Sequence, residues 1–190
     1  MMNHRLYNIS ELLQILQPVR KLIANDSLQI DTLAYDSRKL PHARSSLFFA
    51  LMGLRDGHQF VEEAYMLGVR NFVVSDPTVM YAEKYPEGNF LQVGDSLKAM
   101  QLLATYHRSL FQYPVLAITG SNGKTVVKDW LYQLLSPEFR IVRSPKSFNS
   151  QLGVALSLWQ MSDAYDLAII EAGISRQGEM DNLARMIQPT

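Results

Sequence analysis

Cysteine is absent from the chain. That excludes disulfide staples, thiolate nucleophiles and cysteine-ligated metals, and it is compatible with the cytoplasm. Net charge is absent too: 18 Lys and Arg balance 18 Asp and Glu. No global field therefore draws the protein to nucleic acid or to an anionic membrane. No apolar run approaches the roughly 18 residues a membrane helix needs, and the opening Met-Met-Asn-His-Arg-Leu-Tyr-Asn carries no apolar signal core. His4, His42, His58 and His107 show no metal-ligand spacing. Internal repeats and low-complexity tracts are missing. What remains is ordinary globular material, 47% hydrophobic and 19% charged over 190 residues, enough for one or two domains with a sizeable core. A soluble cytoplasmic protein is expected.

Along the chain, Asn8-Ile9-Ser10-Glu11 has capping-box spacing ahead of Leu12, Leu13, Ile15 and Leu16, which predicts a first helix. "SLQIDTLAYDSRKL" and "SSLFFALMGL" read as strands around a polar loop at Pro41. "DGHQFVEEAYMLGVRNFVVSD" reads as a helix, a stop at Gly68 and a strand over Asn71–Val74. "NFLQV" is a further strand. "DSLKAMQLLATYHRSLF" then sets Leu97, Met100, Leu103, Ala104 and Leu110 on one helical face. A junction is expected at Gln112-Tyr113-Pro114, dividing the chain into domains 1–111 and 112–190.

From Val115 the pattern becomes a repeated strand, loop and helix. "PVLAITG" precedes a helix carrying Val127, Trp130, Leu131 and Leu134 and closed by Pro137. "FRIVRS" leads through "PKSFNS" to "QLGVALSLW", and "DLAIIEAG" through "ISRQ" to "GEMDNLARMI". Three such units imply a parallel sheet with helices outside it. The fold class is α/β: a small mixed α/β domain, then the first part of a parallel-sheet P-loop domain.

The chemistry concentrates in "TGSNGKT", Thr119 to Thr125. A tight glycine turn followed by a helix amino terminus aims backbone amides at an anion. Gly120 and Gly123 let a phosphate approach the backbone, with Ser121 and Asn122 between them. Lys124 can neutralise β- and γ-phosphates, and the Thr125 hydroxyl can ligate Mg²⁺. The strict eight-residue phosphate-loop pattern fails, because Ile118 stands where its first glycine belongs. In an open parallel sheet, ligands sit beyond the carboxyl ends of the strands. Glu171, closing the strand Ala168-Ile169-Ile170, is placed there as a Mg²⁺ partner for Thr125, although a strand-end carboxylate can also simply pair with a neighbouring base. Asn149 precedes a helix and reads equally well as a site residue or an N-cap.

These residues resemble the ATP-dependent Mur ligases of peptidoglycan synthesis. "TGSNGKTVVKDW", with Lys128 a few residues beyond the loop, is similar to the family's nucleotide loop. "EAGISRQGEM" looks like the Glu-x-Gly form of the branch that adds D-alanyl-D-alanine to UDP-N-acetylmuramoyl-tripeptide. "YDSRKL", "LFFAL" and "DGHQF" resemble the family's UDP-binding domain. The family's usual Gly-Asn-x-Asn-Asn stands here as Lys146-Ser147-Phe148-Asn149-Ser150, so only Asn149 carries over cleanly. That "SPKSFNS" variant is similar to ligases with a fused alanine racemase domain.

The resemblance implies transfer of the ATP γ-phosphate to the tripeptide carboxylate, then attack on the acyl phosphate by the D-alanyl-D-alanine amine. It implies Lys124, Glu171 and Asn149 as catalytic residues, and Mg²⁺ on Thr125 and Glu171. It places the UDP substrate on Ser37, Arg38, Asn149 and Ser150. "YDSRKL" can also be a plain polar loop, and Asp56-Gly57-His58 reads better as a helix-capping turn than as a ligand contact. The family's later parts lie beyond Thr190, so an incomplete, inactive amino-terminal piece of a longer ligase is expected. A non-catalytic nucleotide or UDP-sugar module, the tripeptide-forming ligase and folylpolyglutamate synthase remain as alternatives. A GTPase or other phosphotransferase would need a guanine-reading motif or kinase lid, and neither is in the sequence.

Overall fold

The reciprocal cap predicted at Asn8 forms: its side chain accepts from the Glu11 amide, and the Glu11 carboxylate accepts from the Asn8 amide. It opens helix α1, Ile9–Leu16, which buries Ile9, Leu12 and Leu16. The computed structural model describes residues 5–174 and 177–190; His4 and the Ser175-Arg176 pair of "EAGISRQGEM" lie outside them. The chain divides into two compact units, Arg5–Met100 and Gln101–Thr190.

The first unit is built on a five-stranded sheet of β1 (Arg20–Leu22), β2 (Thr32–Ala34), β3 (Ser46–Phe49), β4 (Asn71–Val74) and β5 (Asn89–Gln92). Its order is β1-β5-β4-β3-β2, parallel except for β1. β3 and β4 are buried at every residue, as near-continuous apolar runs in a parallel sheet must be. Phe72 stacks on Phe90 at 4.8 Å and meets Phe48 edge-on, so Phe72→Ala would cost about 3–5 kcal/mol. Helix α2, Val61–Met66, follows a 3₁₀ turn that Asp56 caps by accepting from the His58 amide. The Asp56-Gly57-His58 segment is thus the capping turn expected. The ring of His58 is buried, taking amides of Ser75 and Asp76 on Nε2 and facing Asp56 with Nδ1. Strand β1 was not legible beforehand, because three residues with two charges carry no alternation.

Helix α3, Ser96–Ser109, spans the division between the units. Met100, Leu103 and Ala104 are buried as the spacing predicts, while Leu97 and Leu110 are half-buried. Its carboxyl-terminal half belongs to the second unit for a physical reason. Buried Arg108 donates to the carbonyls of Phe111, Ile187 and Gln188 at 2.7–2.8 Å, and His107 Nε2 donates to the Met161 carbonyl. The expected junction at 112–114 therefore falls inside the second unit as contacts define it.

The second unit holds the parallel sheet predicted, with β6 (Val115–Ile118), β7 (Ile141–Arg143) and β8 (Leu167–Glu171) in the order β6-β8-β7. Helices α4 (Lys124–Leu135), α5 (Gln151–Leu158) and α6 (Glu179–Ile187) follow the three strands. The helix expected on Val127, Trp130 and Leu134 is α4, yet those three side chains are 43, 63 and 75% exposed. The buried residue of α4 is Lys128. Among the described residues, no helix is long and apolar enough to cross a membrane.

Candidate functional site

Strand order places the site. Because β8 lies between β6 and β7, Glu171 at its carboxyl end stands between the loops leaving its neighbours. Ile118 is in register with Glu171, and Arg143 with Ile169. The β6 loop, Thr119 to Gly123, is exposed and turns through Gly120 (φ 144°) and Gly123 (φ 79°), a region that side chains with a Cβ rarely occupy. Gly123 is also the N-cap of α4 and supplies no side chain to the first turn. The unsatisfied amides of that turn carry the positive end of the helix dipole.

Thr125 and Glu171 meet: the threonine hydroxyl lies 3.1 Å from Oε1 and 2.9 Å from Oε2. Asn149 Nδ2 donates to Glu171 Oε1 at 2.8 Å. Asn149 is thus turned toward the carboxylate, and the N-cap of α5 is Ser150, whose hydroxyl accepts from the Gly153 amide at 3.2 Å. Lys124 folds back, its ammonium donating to the Gly120 carbonyl at 2.6 Å. It crosses the loop and makes no hydrogen bond or ion pair with Glu171.

Two groups at this site carried no role in the sequence. Lys128 and Glu171 are each 1% exposed, with Lys128 Nζ 3.6 Å from Glu171 Oε2 and donating to the Lys146 carbonyl. Buried Ser144 accepts the Glu171 amide on its hydroxyl at 3.0 Å. The helical spacing 124, 125, 128 was a usable signal for Lys128, since residues one turn apart share a face.

Thr125 and Glu171 offer a hydroxyl and a carboxylate to a cation. This hard-oxygen pair suits Mg²⁺, which takes one or two protein ligands and completes its octahedron with phosphate oxygens and water. Among the described residues, no group of three or more His, Asp and Glu side chains could hold a metal alone. The pair therefore fits an ion that arrives with a nucleotide.

The first unit has its own cleft, of about 280 Å³, at the carboxyl ends of β2 and β3. Tyr35, Ser37, Arg38, Leu51, Arg55 and Phe60 line it. Ser37 is buried and donates to Glu63 at 3.0 Å. Arg38 is clasped by Asp36 through Nε and Nη2, both at 2.9 Å, and that fork holds the Asp36 carboxyl down at about 2. Ser37 and Arg38, the residues expected to take the UDP substrate, thus line one cleft together with Arg55, for which no role was expected.

Residues 118–190 match the Mur ligase middle domain. The UDP-N-acetylmuramoyl-tripeptide–D-alanyl-D-alanine ligase of Bacillus subtilis is 35% identical over 180 residues, which take in 92% of this chain and 38% of that protein. Among solved structures, MurF from Acinetobacter baumannii has a TM-score of 0.85 at 30% identity, covering 98% of this chain and 40% of its own. MurF from Thermotoga maritima, in complex with ADP, has a TM-score of 0.70 at 26% identity, covering 82% and 35%. The chain spans about two-fifths of the length of these relatives. A phosphate-type loop beside a strand-end glutamate, in a chain with these relatives, is that of a member of the Mur ligase family.

Proposed function

We propose that this chain carries the nucleotide site and the UDP-substrate site of an ATP-dependent ligase that adds D-alanyl-D-alanine to UDP-N-acetylmuramoyl-tripeptide. The observation that carries the reading is the contact of Thr125 with Glu171 at the mouth of the Gly120–Thr125 loop. In functional terms residues 1–111 are the UDP-substrate domain and 112–190 the first part of the ATP domain.

The loop amides and Lys124 hold the ATP phosphates, with the ammonium exchanging the Gly120 carbonyl for phosphate oxygen. Thr125 and Glu171 hold Mg²⁺, which neutralises phosphate charge when bound. Asn149 fixes the carboxylate that faces the ion. Ser37 and Arg38 take the UDP diphosphate, a role suited to a hydroxyl and a guanidinium fork. Asn149 and Ser150 border the substrate. The γ-phosphoryl group passes to the tripeptide carboxylate oxygen and releases ADP. The D-alanyl-D-alanine amine then attacks the acyl carbon and phosphate leaves. Such a transfer depends on alignment and charge neutralisation more than on covalent help.

Calorimetric titration of the chain with Mg²⁺-ATP tests this. Lys124→Ala is expected to weaken binding about tenfold or more, the loss of one charge-assisted contact. Equal affinity in the variant would return Lys124 to the surface and overturn the nucleotide reading.

A further inference from the structure

Lys128 is a buried cation with two jobs in one position. It lies one helical turn beyond Lys124 on α4 and is 1% exposed. Its ammonium reaches Glu171 Oε2 at 3.6 Å and donates to the carbonyl of Lys146. Lys146 is one of three non-glycine residues at positive φ among those described, at 49°, a conformation unfavourable for a side chain with a Cβ. The turn it forms delivers Asn149, three residues on, to the other oxygen of Glu171. One ammonium thus pins the carboxylate directly on Oε2 and holds the backbone turn that pins it through Oε1. A well-packed apolar side chain would commonly serve stability as well as a buried ion pair. Stability alone therefore gives little reason for a lysine here.

We propose that Lys128 is a positioning residue for the Mg²⁺-facing carboxylate of Glu171 and makes no contact with the nucleotide. This rests on the reading above that Thr125 and Glu171 face the ion of a bound Mg²⁺-nucleotide. The loop amides and Lys124 act on phosphate whether or not Mg²⁺ is present, whereas Glu171 acts only through the ion. Lys128 therefore governs the gain in affinity that Mg²⁺ brings, leaving metal-free affinity alone.

The experiment titrates ATP into the full chain, once in EDTA and once in Mg²⁺, for the parent, Lys128→Met and Lys128→Arg. Lys128→Met is expected to keep the EDTA affinity within about twofold and to lose about tenfold of the Mg²⁺-dependent gain. Lys128→Arg, which keeps the charge, is expected to recover part of it. A full Mg²⁺ gain in Lys128→Met overturns the proposal, and so does an equal loss in both conditions, which would mark a phosphate contact. If the parent binds no ATP, the nucleotide reading fails separately. The Mg²⁺-facing role then fails with it, and thermal melts of Lys128→Met, Glu171→Gln and the double variant decide the contact alone: strong non-additivity keeps Lys128 as the group that holds the Glu171 carboxylate, and additivity overturns that as well. Should Lys128→Met not fold, a folded Lys128→Met/Glu171→Gln double variant upholds the pairing and an unfolded one overturns it.

Discussion

Gly173 lies directly against Asn149: a Cβ built on it would stand 3.0 Å from the asparagine Cγ and 3.2 Å from Oδ1. Its amide also donates to the Asn149 carbonyl at 2.8 Å. The Glu-x-Gly segment is thereby explained locally, since the glycine lets the β7 loop approach the carboxylate that ends β8. Gly173→Ala is expected to push Asn149 off Glu171 and destabilise the chain by about 1–3 kcal/mol, the usual cost of overpacking. Thermal unfolding with Asn149→Ala as the partner variant checks it. If the double variant is no more stable than Gly173→Ala, the clash is not with the Asn149 side chain.

Arg108 is 5% exposed, and its guanidinium serves three carbonyls, two of them at the end of α6. Burial lowers its pKa from the ordinary value, yet a guanidinium stays charged in proteins and complements the negative end of the helix dipole. Arg108→Met is expected to cost roughly 2–4 kcal/mol, the worth of one or two charge-assisted hydrogen bonds. Arg108→Lys recovers little, because one ammonium cannot span the same three carbonyls. Urea melts of the two variants measure this, and near-parental stability of either would refute it.

Acid should unlock the pair that joins the starts of β7 and β8. Arg140 grips Asp166 through Nε and Nη2 at 2.8 and 2.6 Å, and that hydrogen-bonded fork lowers the Asp166 carboxyl to about 2. A carboxyl depressed on folding adds stability above its unfolded pKa of about 3.9 and loses it as pH falls toward the folded value. The gain is small because the pair is exposed. The difference in Tm between the parent and Asp166→Asn is expected to be present at pH 5 to 7 (roughly the plateau of that linkage) and to close on acidification. A pH-independent difference would mean that the contribution is not ionic.

The cleft beside β2 and β3, proposed above for the UDP substrate, offers a further test. Arg38 is engaged by Asp36, whereas Arg55 lines the same cleft. Calorimetry with UDP-N-acetylmuramoyl-tripeptide is expected to show Arg38→Ala weakening binding about tenfold, the worth of a charge-assisted contact. An unchanged affinity for Arg38→Ala beside a large loss for Arg55→Ala would move the diphosphate to Arg55.

Local signals decided the elements. The Asn8–Glu11 cap, the Gly68 stop and the apolar runs at β3, β4 and β8 act over a few residues, so the chain alone determined them. The turn from β6 into α4 was equally legible, because Gly120, Gly123, Lys124 and Thr125 lie within six contiguous residues. Asn149 was ambiguous in sequence, since an asparagine before a helix can cap it; the neighbouring Ser150 took the cap and left the amide free for Glu171. Strand order alone put Glu171 between the two loops. Burial on α4 went against hydrophobicity, leaving Val127, Trp130 and Leu134 outside and Lys128 within. Helical spacing sets Lys128 on the face of Lys124 and Thr125, but it does not say that this face is buried, because a buried ammonium is tolerable only where a carboxylate and a carbonyl from distant strands and loops converge on it. Such convergence is a property of the sheet, and only the tertiary structure could supply it.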